Sequence, residues 1–216
     1  MKLIRETVEQ VKYLTETTED GKKKLYIEGT FLVGDAVNKN NRMYKMDILR
    51  NEVSRYTEEF INTNRALGEL GHPDTPSINL ERVSHKIVSL SEDGNTFYGK
   101  ALILDTPYGK IVKDFIENEI QIGVSSRALG SLVQTKEGYN LVQDDLKLAT
   151  AADIVADPSA PGAFVQGIME NKEWMMVNGQ WVETQFEQAK KQIKRASKQE
   201  IEQVALKLFE NYIRKL

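Results

Sequence analysis

RVSHKIVSL at 82–90 and TFYGKALIL at 96–104, separated by SEDGN at 91–95, carry the decisive fold signal. The flanking runs are β-prone and the residues between them are turn formers, so the stretch reads as a β-hairpin. Upstream, LYIEGTFLVGDAV at 25–37 is a second β-prone run, interrupted by Gly29 and Gly34 as a strand with a bulge or kink would be. Short β-prone runs return at 122–124, 132–135 and 139–142, and the last leads through a turn to LKLATAADIVA at 146–156. Pro158 and Pro161 end that run.

Helices interrupt the strands. Residues 46–62 place Leu49, Val53, Tyr56 and Phe60 at spacings of four, three and four, the period of one helical face. Residues 107–118 open on Pro107, suited to a first turn, and bring Tyr108, Val112 and Phe115 to one face. Strands punctuated by two or three helices, without regular βαβ alternation, point to an α+β class. A mixed β-barrel or curled sheet with helices packed outside fits best.

The two ends differ from the middle. Residues 1–20 are polar with some helical spacing, and GKKK at 21–24 reads as a turn. Near the other end, EWMMVNGQWVE at 173–183 carries an Asn178–Gly179 hairpin turn that would pair Met176 with Trp181. From Thr184 the chain is charged and helical; Ser197 with Glu200 forms a capping box. The stripe Ile201, Val204, Leu208 and Tyr212 needs a surface to bury against. The expected division is an N-terminal segment over 1–24, a core domain over 25–165, and a hairpin with a helical tail over 166–216.

Composition closes several functional routes. The 216 residues include no cysteine and two histidines, His72 and His85. Disulfides, thiolate nucleophiles and cysteine or histidine-rich metal sites are therefore out. No EF-hand loop, HExxH helix, P-loop or dinucleotide fingerprint is present. A net charge of −3 gives no reason to expect broad nucleic-acid binding. No stretch approaches the roughly 20 apolar residues of a membrane span. The start MKLIRETVEQ lacks a secretory apolar core, so a cytoplasmic setting without a membrane is expected.

Three kinds of residue remain for chemistry. His72 lies in ALGELGHPDTPS, a turn-rich loop open to substrate, whereas His85 shares a strand face with Val83 and Ile87. In GVSSRALGS at 123–131 an apolar strand runs into Ser125 and Ser126, and a hydroxyl there is held by rigid backbone. Asp153 is an acid within a run of apolar and small residues, where burial is costly without a partner. Asp157, before Pro158, reads as a turn residue. A base, a nucleophile and an orienting acid are thus available, in the order His, Ser, Asp.

GELGHPD at 68–74, GVSSRALGS at 123–131 and ADIVADPSAPGAF at 152–164, with LYIEGTFLVGDAVNKNNRMY at 25–44, resemble the prohead core proteases of T-even-like tailed phages in order and spacing. That family is related to the herpesvirus assembly proteases. The resemblance implies a herpesvirus-protease-like β-barrel surrounded by helices, here followed by the helical C-terminal tail. It implies a serine endopeptidase, without cofactor or metal, that cleaves scaffold or core proteins, the major capsid protein and itself. The setting would be the prohead, inside the bacterial host cytoplasm, with the enzyme self-associated.

The resemblance also assigns roles. His72 is implied as general base, Ser125 as nucleophile after the Gly123–Val124 pair, and Asp153 as third member, with His85 left open for that place. Strand alternation sends Ser125 and Ser126 to opposite faces, so only one can be the nucleophile. Ser126 and Arg127 are expected near the oxyanion. Cleavage after glutamate with an aliphatic residue two positions before it would put self-cleavage in IRE at 4–6, IME at 168–170 and LFE at 208–210, after Glu6, Glu170 and Glu210. A non-catalytic scaffold or capsid-assembly protein retaining the fold is the alternative.

Overall fold

The 82–104 stretch folds as the hairpin its sequence predicts: strands Val83–Asp93 and Thr96–Ile103 pair antiparallel around Gly94–Asn95. Gly94 takes a left-handed φ of 59° in the turn. Along the second strand Phe97, Gly99 and Ala101 alternate inward, so one face meets the core. The computed structural model describes residues 2–8, 11–17, 23–156, 173–177 and 180–184. Within them the strands are β1 (Lys2–Val8), β2 (Val11–Thr17), β3 (Lys23–Val33), β4 (Arg42–Met43), β5 (Leu67–Glu69), β6 (Val83–Asp93) and β7 (Thr96–Ile103). There follow β8 (Gly123–Gly130), β9 (Leu132–Gln134), β10 (Asn140–Val142), β11 (Lys147–Val155), β12 (Glu173–Val177) and β13 (Gln180–Thr184).

These strands form two five-stranded sheets, ordered β11-β8-β1-β12-β13 and β2-β3-β7-β6-β5, and a small β4-β10-β9 sheet. The first two meet where Leu70 bridges Ile154 in parallel and the Gly71 N–H donates to the Ile154 carbonyl at 2.7 Å. No continuous ladder closes the described strands into a cylinder. The class is therefore α+β and mostly strand.

Both expected helices form. α1 (Met46–Tyr56) buries Leu49, Val53 and Tyr56, then widens into a π-helical turn over Thr57–Ile61 that stacks Phe60 on Tyr56 at 5.2 Å. α2 (Pro107–Glu117) starts with Pro107 in its first turn and the Thr106 hydroxyl accepting from the Gly109 N–H at 3.1 Å. Its buried face is Gly109, Val112 and Ile116, a quarter-turn round from the expected Tyr108–Phe115 stripe. α1 packs on β11 and α2 on β6 and β7. Phe31, Ile27, Leu49, Tyr56, Ile87, Val112, Val124 and Ile154 share one core. Each such fully buried side chain contributes about 1.5–3 kcal/mol.

The N-terminal segment departs from its expected helical spacing. β1 lies between β8 and β12, β2 pairs along β3, and Ile4 is a core residue at 1% exposure. The physical reason is tertiary: long backbone ladders on β8 and β3 outweigh the weak helical preference of a short polar segment. At the other end β12 and β13 pair with Met176 opposite Trp181, as expected, and Lys2↔Glu173 attaches them to β1. The Asn178–Gly179 turn, the helical tail with its Ser197–Glu200 box, and Glu170 and Glu210 lie outside the described residues. Glu6 lies in β1, opposite Ser126.

Candidate active site

β8 and β11 carry the centre of the site. Two register shifts in β11, between Leu148 and Thr150 and between Thr150 and Asp153, set Arg127 opposite Thr150 and Ser125 opposite Asp153. Each shift inserts one extra residue, and such bulges re-aim the side chains beyond them. Directly opposed residues project to one face, so Ser125 and Asp153 share a side of the sheet, and Arg127, two residues on, shares it too. Ser126 projects to the other face. Ser125, Arg127 and Asp153 are all fully buried.

His72 arrives from the neighbouring sheet. β5 ends at Glu69, Leu70 and Gly71 dock on Ile154, and the chain turns at Gly71 with a φ of +83°, a conformation glycine adopts without strain. His72 then meets Asp153, with Nδ1 3.2 Å from Oδ2 and the side chain only 15% exposed. Against an ionised carboxylate Nδ1 carries the proton, which leaves Nε2 as the acceptor. Nε2 is buried and has no hydrogen-bond partner. That is the state a general base requires.

Asp153 is held by four hydrogen bonds. Oδ1 accepts from the Glu69 N–H at 3.0 Å and from Arg127 Nη2 at 3.3 Å; Oδ2 accepts from Arg127 Nε at 2.9 Å and from His72. Burial alone would raise its pKa. The His72 hydrogen bond, the Arg127 charge and the Glu69 amide outweigh that and hold it below the ordinary carboxylate value, so the acid is ionised.

Arg127 commits all five of its N–H groups. Beyond Asp153 they reach Glu69 Oε1 at 3.0 Å and the carbonyls of Thr75 and Ser77 in the loop that follows His72. Glu69 Oε1 also accepts from the Asn79 N–H at 2.9 Å, near the end of that loop. Arg127 thus has no side-chain N–H left over, and Ser126 lies on the face opposite Ser125. The Glu69–Arg127 pair was not anticipated; its one sequence signal was an acid set beside Gly68 in a β-prone turn-flanked run.

His85 has other work. It is fully buried, its Nε2 lies 2.9 Å from the Ala152 carbonyl and its Nδ1 2.9 Å from the Ser84 hydroxyl. Burial lowers its pKa, so it is neutral, donating from Nε2 and accepting at Nδ1. Both nitrogens are used, which leaves Asp153 as the partner of His72. Gly68 permits this reach: a Cβ there would stand 2.1 Å from His85 Nε2 and 2.4 Å from the Ala152 oxygen. His85 thus ties β6, across β5, to the residue before Asp153.

Among the described residues no cluster of three or more His, Asp or Glu could hold a metal, and no helix is long and apolar enough to cross a membrane. Comparison with known proteins places the chain in a family. The chain is 40% identical over 147 residues to the prohead core protein protease of Enterobacteria phage T4, spanning 67% of this chain and 69% of that protein. A solved structure of the bacteriophage T4 capsid assembly protease superposes with a TM-score of 0.69 at 34% identity, covering 73% of this chain and 98% of the other. Residues 5–173 match the family described as prohead core protein serine protease, and the chain belongs to that family.

Proposed function

We propose that this chain is a serine endopeptidase of prohead maturation that uses Ser125 as nucleophile, His72 as general base and Asp153 as the orienting acid. Membership of the prohead protease family makes it a protease acting in that process. The observation that carries the residue assignment is the His72–Asp153 hydrogen bond beside Ser125, with His72 Nε2 left unpartnered. In the reaction Ser125 Oγ attacks the scissile carbonyl while Nε2 takes its proton. Asp153 stabilises the imidazolium, which then returns the proton to the leaving amine. Backbone amides following Ser125, or along Ala149–Ala152, are the donors for the oxyanion.

The substrates are scaffold or core proteins and the major capsid protein of a phage, met inside the prohead in the host cytoplasm, with the enzyme self-associated and with no cofactor. On the family resemblance, the core domain is read as a herpesvirus-protease-like β-barrel ringed by helices. Cleavage follows glutamate, and Glu6, Glu170 and Glu210 are the self-cleavage positions. Mass spectrometry of an assembly-competent preparation beside Ser125→Ala tests this. New termini after those glutamates, and cut scaffold, appear only with Ser125; identical termini in both proteins refute self-cleavage. Uncut scaffold in both favours a non-catalytic assembly protein.

A further inference from the structure

We propose that Arg127 is a positioning residue of this active site, sharing its charge between Asp153 and Glu69 so that the acid and the base loop are clamped to the nucleophile strand. The proposal rests on the Ser125–His72–Asp153 reading. Three pieces of backbone must stay in register for that chemistry: β8 with Ser125, β11 with Asp153, and the loop from His72 to Asn79. Arg127 grows from β8 and donates to Asp153 on β11, to Glu69 at the root of the loop, and to the Thr75 and Ser77 carbonyls within it. One side chain therefore spans all three, with every donor used.

The charge count gives it a second consequence. Among the described residues the fully buried ionisable groups are Arg127, Asp153, Glu69 and neutral His85, with the buried Tyr56 phenol pushed up to about 12 and so uncharged; buried Glu52 is paired with Arg55. Arg82, partly exposed overall, brings its buried Nε to 3.6 Å from the buried Glu69 Oε2. Asp74, on the loop itself, is exposed. With Arg82 these groups balance while His72 is neutral, and Glu69 keeps the two guanidiniums from leaving the set positive before His72 takes the serine proton. Glu69 supplies that negative charge without touching the reacting atoms. Without Glu69 the two guanidiniums would outweigh Asp153, and the imidazolium would be less favoured.

The test is the rate at which a fluorophosphonate probe labels the full-length protein as a function of pH. Glu69→Gln keeps the shape and a neutral acceptor for Arg127 but removes the negative charge. Its acid-side midpoint is expected to move to lower pH by about half a unit or more. Arg127→Lys cannot reach five acceptor atoms on four residues, and its maximal labelling rate should fall about tenfold to a hundredfold. Thermal unfolding of each variant checks the fold; if Arg127→Lys does not fold, Glu69→Gln decides. A folded Glu69→Gln protein with an unchanged midpoint overturns the proposal. Absent labelling of the wild type, or labelling retained in Ser125→Ala, instead overturns the catalytic reading on which it rests.

Discussion

Ser125 and Asp153 stand directly opposite each other across the β8–β11 ladder, with a bulge in β11 separating that pair from Arg127↔Thr150. The adjacent serine is excluded from the same face by strand alternation. This relation turns a Ser-Ser dipeptide, ambiguous in sequence, into a single position beside the acid.

Ser126→Ala should therefore leave labelling by a fluorophosphonate within about threefold of wild type, since its side chain lies across the strand from the site. Labelling rate, measured beside an unfolding curve, checks it. A Ser126→Ala protein that folds and does not label would move the nucleophile.

Asp153→Asn keeps the shape but removes the charge that orients His72 and stabilises the imidazolium. The amide NH2 would also oppose an Arg127 or His72 donor. Peptide cleavage should fall by about a thousandfold or more, mostly in kcat. Steady-state kinetics on a glutamate-containing capsid peptide measures this, and a loss confined to KM would contradict the orienting role.

His85 makes stability acid-sensitive. Its folded pKa is lowered, so the native state stays neutral while the unfolded chain takes up a proton. The contribution is whole above the free imidazole value of about 6.5. Below that it falls by up to about 1.4 kcal/mol per pH unit until the folded value is reached. Urea midpoints at pH 7.5 and 5.5 should diverge more for wild type than for His85→Gln, and equal divergence would contradict the assignment.

Ile4 anchors β1 in the core, so Ile4→Ala should cost about 2–5 kcal/mol in denaturant unfolding. A loss under about 0.5 kcal/mol would mean that β1 contributes little to the fold. The measurement also bears on the proposed self-cleavage after Glu6, which would sever the strand that pairs with β8.

What could be read from the residues follows from where each signal resides. The 82–104 hairpin and the helix starting at Pro107 were readable because alternation, turn chemistry and capping are local. β1 and β2 were not, because a polar segment becomes a strand only when distant β8 and nearby β3 offer their edges. The same division runs through the site. Residue scarcity singled out His72, and an acid among small apolar neighbours singled out Asp153. The five-donor clamp of Arg127 on Glu69, Asp153 and the loop carbonyls has no sequence pattern, since it exists only once β5, β8 and β11 meet.

The most direct test of the central claim is to treat an assembly-competent preparation with a fluorophosphonate and locate the adduct by peptide mass spectrometry. The predicted result is one adduct, on Ser125, lost in both Ser125→Ala and His72→Ala. An adduct on another residue, or one that survives Ser125→Ala, would contradict it.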